Sequence, residues 1–209
     1  MAARLPGLRR FVSGAVLAAA AALTLAACED PAHQPVVAVK NRLPDLNFEL
    51  SRAGGETVTQ DLVRGTIPLV FFGYANCPDV CPTTMARLAQ VLQALGDDAR
   101  DVRILFISVD PHRDTPELLE RYVKAFDQES ALGLTGTPRQ IADLARRYRV
   151  SFEILKPADP SNPNYDVNHS KGVFVFDRSG AVRYLVTNID APGSTEALTG
   201  TLRTLVAES

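Results

Sequence analysis

Two uninterrupted apolar runs, Ile67-Pro68-Leu69-Val70-Phe71-Phe72 and Ile104-Leu105-Phe106-Ile107-Ser108-Val109, leave this chain few folds to choose from. Each has the length of a strand and lacks polar alternation, as a strand does when both of its faces are covered. Between them Met85, Leu88, Val91, Leu92 and Leu95 recur at spacings of three and four until Gly96 stops them. That pattern predicts an amphipathic helix of about three turns, with Pro82 in its first turn. Strand, helix, strand in this order gives a right-handed crossover and parallel strands.

The remaining segments add to that unit. A second helix starts near Thr115-Pro116-Glu117, with Leu118, Leu119, Tyr122, Val123 and Phe126 as its inner stripe, and a third covers residues 139 to 148. Residues 151 to 155 alternate like a half-buried strand, and a polar, proline-rich loop follows from 156 to 168. Val173-Phe174-Val175-Phe176 and Val182-Arg183-Tyr184-Leu185-Val186 flank the turn Asp177-Arg178-Ser179-Gly180 and form a hairpin, and a helix over 194 to 206 closes the chain. Earlier, residues 48 to 51 and 57 to 59 around Gly54-Gly55 make another hairpin. The fold class is therefore α/β and thioredoxin-like, a central mixed sheet flanked by helices with an added N-terminal β-hairpin. In such folds the working residues gather past the carboxyl ends of the parallel strands.

The first residues stand apart. Arg4, Arg9 and Arg10 precede an apolar run from Phe11 to Leu23, and Leu25-Ala26-Ala27-Cys28 closes it. A basic start, a short apolar stretch and small residues before a cut make a secretory signal. Leu-Ala-Ala-Cys resembles the lipobox of bacterial lipoproteins, which makes residues 1–27 a signal peptide and Cys28 the lipidated first mature residue. Residues 28–43, with Pro31, Pro35 and few large apolar groups, read as a flexible tether, and 44–209 as one domain. Loss of the leader removes three arginines and no acid, leaving 19 basic against 24 acidic side chains, a net charge of −5. Nothing in that balance offers the basic patch that nucleic-acid binding needs. The implied location is a bacterial cell membrane, reached through the acyl chains, with the domain in the periplasm or another extracytoplasmic space.

The chemistry concentrates in Cys77-Pro78-Asp79-Val80-Cys81, just past the first apolar strand. A disulfide across three residues removes little entropy from the unfolded chain, so the pair is better placed for chemistry than for stability. Pro82 biases Cys81 away from helical dihedrals and puts both thiols in the strand-to-helix connection. The helix amino terminus beside them favours both as thiolates, which serves metal binding and redox exchange alike. Among the three histidines, His33 sits in the tether and His112 in a loop, where solvated surface roles are expected; His169, where the long loop returns to the sheet, can meet both sulfurs, although a loop histidine before a strand is more often a hydrogen-bonded structural residue. Two thiolates and one imidazole form a soft, low-coordinate set that suits Cu(I), admits Cu(II) with one more oxygen ligand, and leaves zinc open.

Four motifs then resemble the Sco/SenC family of copper-binding, thioredoxin-like cytochrome c oxidase assembly proteins. They are Phe72-Gly73-Tyr74 leading to Cys77-Pro78-Asp79-Val80-Cys81-Pro82-Thr83, then Ser108-Val109-Asp110-Pro111 with Arg113-Asp114-Thr115-Pro116, Leu134-Thr135-Gly136-Thr137, and Tyr165-Asp166-Val167-Asn168-His169-Ser170. The resemblance implies that Cys77, Cys81 and His169 bind one copper ion. It further implies delivery of copper or reducing equivalents to the CuA site of cytochrome c oxidase subunit II, with a periplasmic copper donor or thiol reductant as a further partner. Tyr74, Asp79, Asp110 and Asp114 are the candidates for lining the site. The chain is then a metallochaperone with no turnover of its own; the alternative is a thiol-disulfide oxidoreductase, using a redox-active Cys77–Cys81 disulfide, that keeps the CuA-site cysteines reduced. A peroxiredoxin-like peroxidase is a third reading, but Tyr74 stands where its usual Thr-x-x-Cys setting needs threonine.

Overall fold

Both apolar runs become the central strands of one sheet. Ile67–Gly73 (β4) and Val102–Ser108 (β5) pair in parallel from Ile67↔Val102 to Gly73↔Ser108. Every residue of β4 is buried, as its unbroken apolar sequence requires. The crossover is the helix Val80–Leu95 (α1), which stops at Gly96 with φ 63°, a left-handed conformation that glycine adopts without strain. A second crossover, Pro116–Lys124 (α2), leads to Ala131–Leu134 (β6), parallel to β5. Thr115 caps α2 by accepting from the Leu118 amide, and Pro116 occupies the first turn.

The structure, a computed structural model, describes residues 34–40, 42–155 and 164–208. The signal peptide, Cys28 and His33 lie outside the described residues. From Pro35 onward the chain forms one compact unit. Its six-stranded sheet runs β1-β10-β9-β4-β5-β6, in which β1 is Val36–Ala38, β9 is Val173–Phe176 and β10 is Val182–Val186. The β4–β9, β9–β10 and β10–β1 pairs are antiparallel, so the sheet is mixed as the sequence predicts. Two small ribbons flank it: Glu49–Arg52 (β2) with Glu56–Thr59 (β3), the expected hairpin, and Phe152–Ile154 (β7) with Val167–His169 (β8). Pro138–Arg147 (α3) carries a full capping box between Thr137 and Gln140, and Ser194–Ala207 (α4) packs on α1. Among the described residues no helix is long and apolar enough to cross a membrane.

Three differences from the sequence reading matter. β1 lies inside the segment read as tether; Val36, Val37 and Ala38 pair with Val186, Leu185 and Tyr184, so the sheet recruits residues whose proline-rich surroundings suggested none. β6 was not anticipated, because Ala-Leu-Gly-Leu is short and weakly strand-forming; Gly133 is needed there, since a Cβ would lie 2.7 Å from Leu119 of α2. β8 emerges from the end of the long polar loop, so His169 ends a short strand of its own before the chain enters β9.

Candidate metal centre

The thiols sit where β4 gives way to α1, but not as expected. Cys77 is in the connecting loop, its amide closing a turn onto the Tyr74 carbonyl at 3.2 Å. Cys81 is the second residue of α1, already helical. Pro82 does not prevent this, because in the first turn its missing N–H would have no helical partner anyway, and Thr83 N–H closes that turn onto the Asp79 carbonyl at 3.2 Å. Helix placement turns Cys81 inward: it is 0% exposed, wedged against Gly73 and Phe106, whereas Cys77 is half-buried.

His169 comes from the separate β7–β8 ribbon and meets them. Its Nε2 lies 3.3 Å from Cys81 Sγ, and its Nδ1 lies 3.0 Å from the Ser170 carbonyl oxygen. A carbonyl only accepts, so the hydrogen-bond network assigns the proton to Nδ1 and turns the Nε2 lone pair toward the sulfurs. The ring stands edge-on to Phe71 and Tyr74, with centroids at 6.0 and 5.8 Å. The Sγ atoms of Cys77 and Cys81 and one ring nitrogen of His169 all lie within 4.8 Å of one another, and among the described residues this is the one such cluster. His112, exposed in its loop, is not part of it.

The two sulfurs are not equivalent, which corrects the expectation of two activated thiols. A hydrogen bond from the Cys81 thiol pulls Cys77 down to about 4, aided by the Asp79 and Cys81 amides, against the opposing effect of burial. The same bond, then burial, pushes Cys81 well above the ordinary thiol range. The amide of Cys81 donates to Cys77 Sγ at 3.4 Å, so the helix amino terminus serves Cys77 alone. At neutral pH the pair is one thiolate and one thiol sharing a proton, and a metal bound by both displaces that proton. The donor types, soft sulfur and imidazole without carboxylate, fit copper.

Of the four residues expected around the site, Tyr74 touches the His169 ring, while Asp79 contributes its backbone and leaves its side chain exposed. Asp110 and Asp114 are buried beneath the loop, at 0% and 2% exposure. Asp114 Oδ2 accepts from the Ala75 amide at 3.0 Å and from Ser108 Oγ at 2.6 Å, tying the cysteine loop to the end of β5. Burial holds its carboxyl above the usual range, against those two hydrogen bonds. Asp110 Oδ1 accepts from the Tyr165 hydroxyl at 2.7 Å, and Oδ2 pairs with Arg113, whose guanidinium carbon lies 3.5 Å from the Tyr165 ring centroid. This latch fixes the segment that carries His169. Ser108, Arg113 and Tyr165 stood within the motifs of the sequence, but without a role; their polar and aromatic character beside two aspartates was the available signal.

The SCO1/SenC family model matches residues 40–207. The SCO2-like protein RP587 of Rickettsia prowazekii is 36% identical over 138 residues, which cover 66% of this chain and 65% of that protein. Protein SenC of Rhodobacter capsulatus is 39% identical over 130 residues, 62% of this chain and 57% of its own. The chain therefore spans somewhat less than two thirds of the length of these curated relatives. The structure of Bradyrhizobium japonicum ScoI with copper bound is similar at a TM-score of 0.67 and 35% identity, over 77% of this chain and 98% of that one. With a Cys, Cys, His cluster suited to copper at the end of β4, and this match over most of its length, the chain belongs to the SCO1/SenC family.

Proposed function

We propose that this protein is a lipid-anchored copper metallochaperone that binds one copper ion through Cys77, Cys81 and His169 and supports assembly of the CuA site in cytochrome c oxidase subunit II. Cleavage before Cys28 and acylation of its thiol would hold the domain at the outer face of a bacterial cell membrane, within reach of such a client. The observation that carries the reading is the convergence of two sulfurs and one ring nitrogen within 4.8 Å. Three ligands leave copper open to a fourth, so an incoming client thiol can bind before a resident ligand leaves. Cys77, half-buried where Cys81 is enclosed, is the ligand a client can reach first. Copper then moves by ligand exchange, and a proton returns to the Cys77–Cys81 pair as the metal departs.

The thiolate–thiol asymmetry also favours a second reading, a reductant of the client's disulfide. Cys77 thiolate would attack one client sulfur to form a mixed disulfide, and Cys81 would resolve it, leaving a Cys77–Cys81 disulfide and a reduced client. An oxidase-assembly rescue in cells lacking this protein separates the two. The metallochaperone reading requires Cys77→Ser and His169→Ala both to fail; rescue by His169→Ala at the parental level would leave the reductant role.

A further inference from the structure

Beside the metal centre, reached through Ser170, lies a groove of about 360 Å³. Its floor is apolar, formed by Leu43, Val150, Phe174 and Leu185, and its rim carries Arg42 and Arg149. Both arginines are exposed, and among the described residues no ion pair engages either guanidinium. Lys171, also exposed, stands between two lining residues, Ser170 and Gly172. On a mature chain with a net charge of −5, two lining arginines that are unpaired among the described residues, with Lys171 between two further lining residues, are a local reversal of sign.

Arg149 is the more informative of the rim residues. It has φ 56°, the one positive φ at a non-glycine residue among those described, while six such positions are filled by glycine. It lies just past the end of α3, where the Arg149 amide bonds to the Arg146 carbonyl at 3.2 Å and the Val150 amide to the Ala145 carbonyl at 2.8 Å. A helix ending in this left-handed manner ordinarily uses glycine. An arginine accepts backbone strain there, and such strain marks a side chain that is used.

We propose that this groove docks an acidic, apolar-tipped segment of the protein that receives the copper; the proposal rests on the metallochaperone reading. Charge complementarity selects the partner: carboxylates pair with Arg42, Arg149 and Lys171 while one apolar side chain enters the cleft. A lipid surface fits less well, because the apolar residues lie at the bottom of a concavity, with Val150 and Phe174 only 8% and 5% exposed, and cannot insert into a bilayer. Docking is coupled to the metal centre by a short path. Ser170 lines the groove, and its carbonyl is the group that holds His169 Nδ1–H. A segment seated there bears on the stretch that orients the one nitrogen ligand and can loosen it as the client's thiols arrive.

The test uses the purified full chain in detergent micelles, loaded with Cu(I) and mixed with the soluble CuA domain of oxidase subunit II, with copper transfer followed over time. The parent transfers copper faster at low than at high ionic strength. Arg42→Glu combined with Arg149→Glu retains the parental copper affinity but transfers at least about tenfold more slowly, with the salt dependence flattened. Arg149→Gly relieves the strain, melts no lower than the parent, and is also slowed, which separates docking from folding. A double variant that transfers at the parental rate overturns the docking proposal and leaves the metallochaperone reading intact. A parent that holds copper but transfers none overturns that reading and the docking proposal with it. Unchanged transfer together with vesicle binding lost in the double variant, measured on phosphatidylglycerol vesicles, assigns the groove to the membrane. Acceleration by Glu29→Lys with Asp30→Lys assigns it to the chain's own leader-proximal segment; either result also overturns the proposal.

Discussion

Gly73, the last residue of β4, tests how the fold sets the position of the buried sulfur. A Cβ added there would lie 2.8 Å from Cys81 Sγ and 2.9 Å from Phe106 Cε2. Neither neighbour can swing into solvent, since both are 0% exposed and Phe106 is held by Phe71 and Tyr122 at centroid distances of 5.9 and 5.1 Å. Ordinary contact begins near 3.4 Å, so in Gly73→Ala the sulfur must retreat by about 0.6 Å or the sheet must give. Overpacking of this kind costs about 1–3 kcal/mol, which for a domain of this size lowers Tm by roughly 2–12 °C. Metal sites tolerate displacements of about 0.2 Å, so Cu(I) affinity should also fall, by at least about tenfold. Thermal unfolding of the reduced, metal-free protein gives the first quantity, and competition with a Cu(I) chelator the second. An alanine variant with parental Tm and parental affinity would refute the claim that β4 positions Cys81 through this contact.

In the reduced, metal-free protein, iodoacetamide should modify Cys77 at about pH 6 nearly as fast as at pH 8, and the rate should fall to half only near a pH of about 4. The sign follows from a lowered thiol value, which leaves the reactive thiolate in place until acid protonates it; a rate climbing tenfold per pH unit above pH 6 would contradict it. Tyr165→Phe removes the hydroxyl that donates to buried Asp110 and should cost about 1–3 kcal/mol of stability while weakening copper binding through His169. Thermal melts and chelator competition on that variant check both effects. Ser108→Ala deprives Asp114 Oδ2 of one of its two donors and should destabilise by a similar amount, about 1–3 kcal/mol, read from denaturant unfolding.

The core of the fold was legible because burial on both faces writes itself as continuous apolar sequence in β4 and β5, and on one face as the three-and-four spacing of α1. What escaped was structure decided by partners distant in sequence. β1 exists because β10 offers it an edge, and β6 because α2 delivers the short segment Ala131–Leu134 beside β5. At the site, residue types and spacing singled out Cys77 and Cys81, the motif resemblance added His169 as their third ligand, and the structure brings all three together. Their inequality was not legible, since it depends on which thiol the first helical turn carries inward. Asp79 serves the site through its backbone while its carboxylate stays exposed, and Tyr165 was given no role, because its partner Asp110 lies 55 residues earlier in sequence.

The central claim is that one copper ion is held by two sulfurs of this loop and the nitrogen of His169. Copper K-edge absorption spectroscopy of the reduced protein loaded with Cu(I) measures that set directly. The account predicts one copper per chain with two sulfur scatterers and one imidazole nitrogen, the nitrogen disappearing in His169→Ala. A spectrum with sulfur neighbours alone in the parent, or one unchanged by His169→Ala, would contradict it.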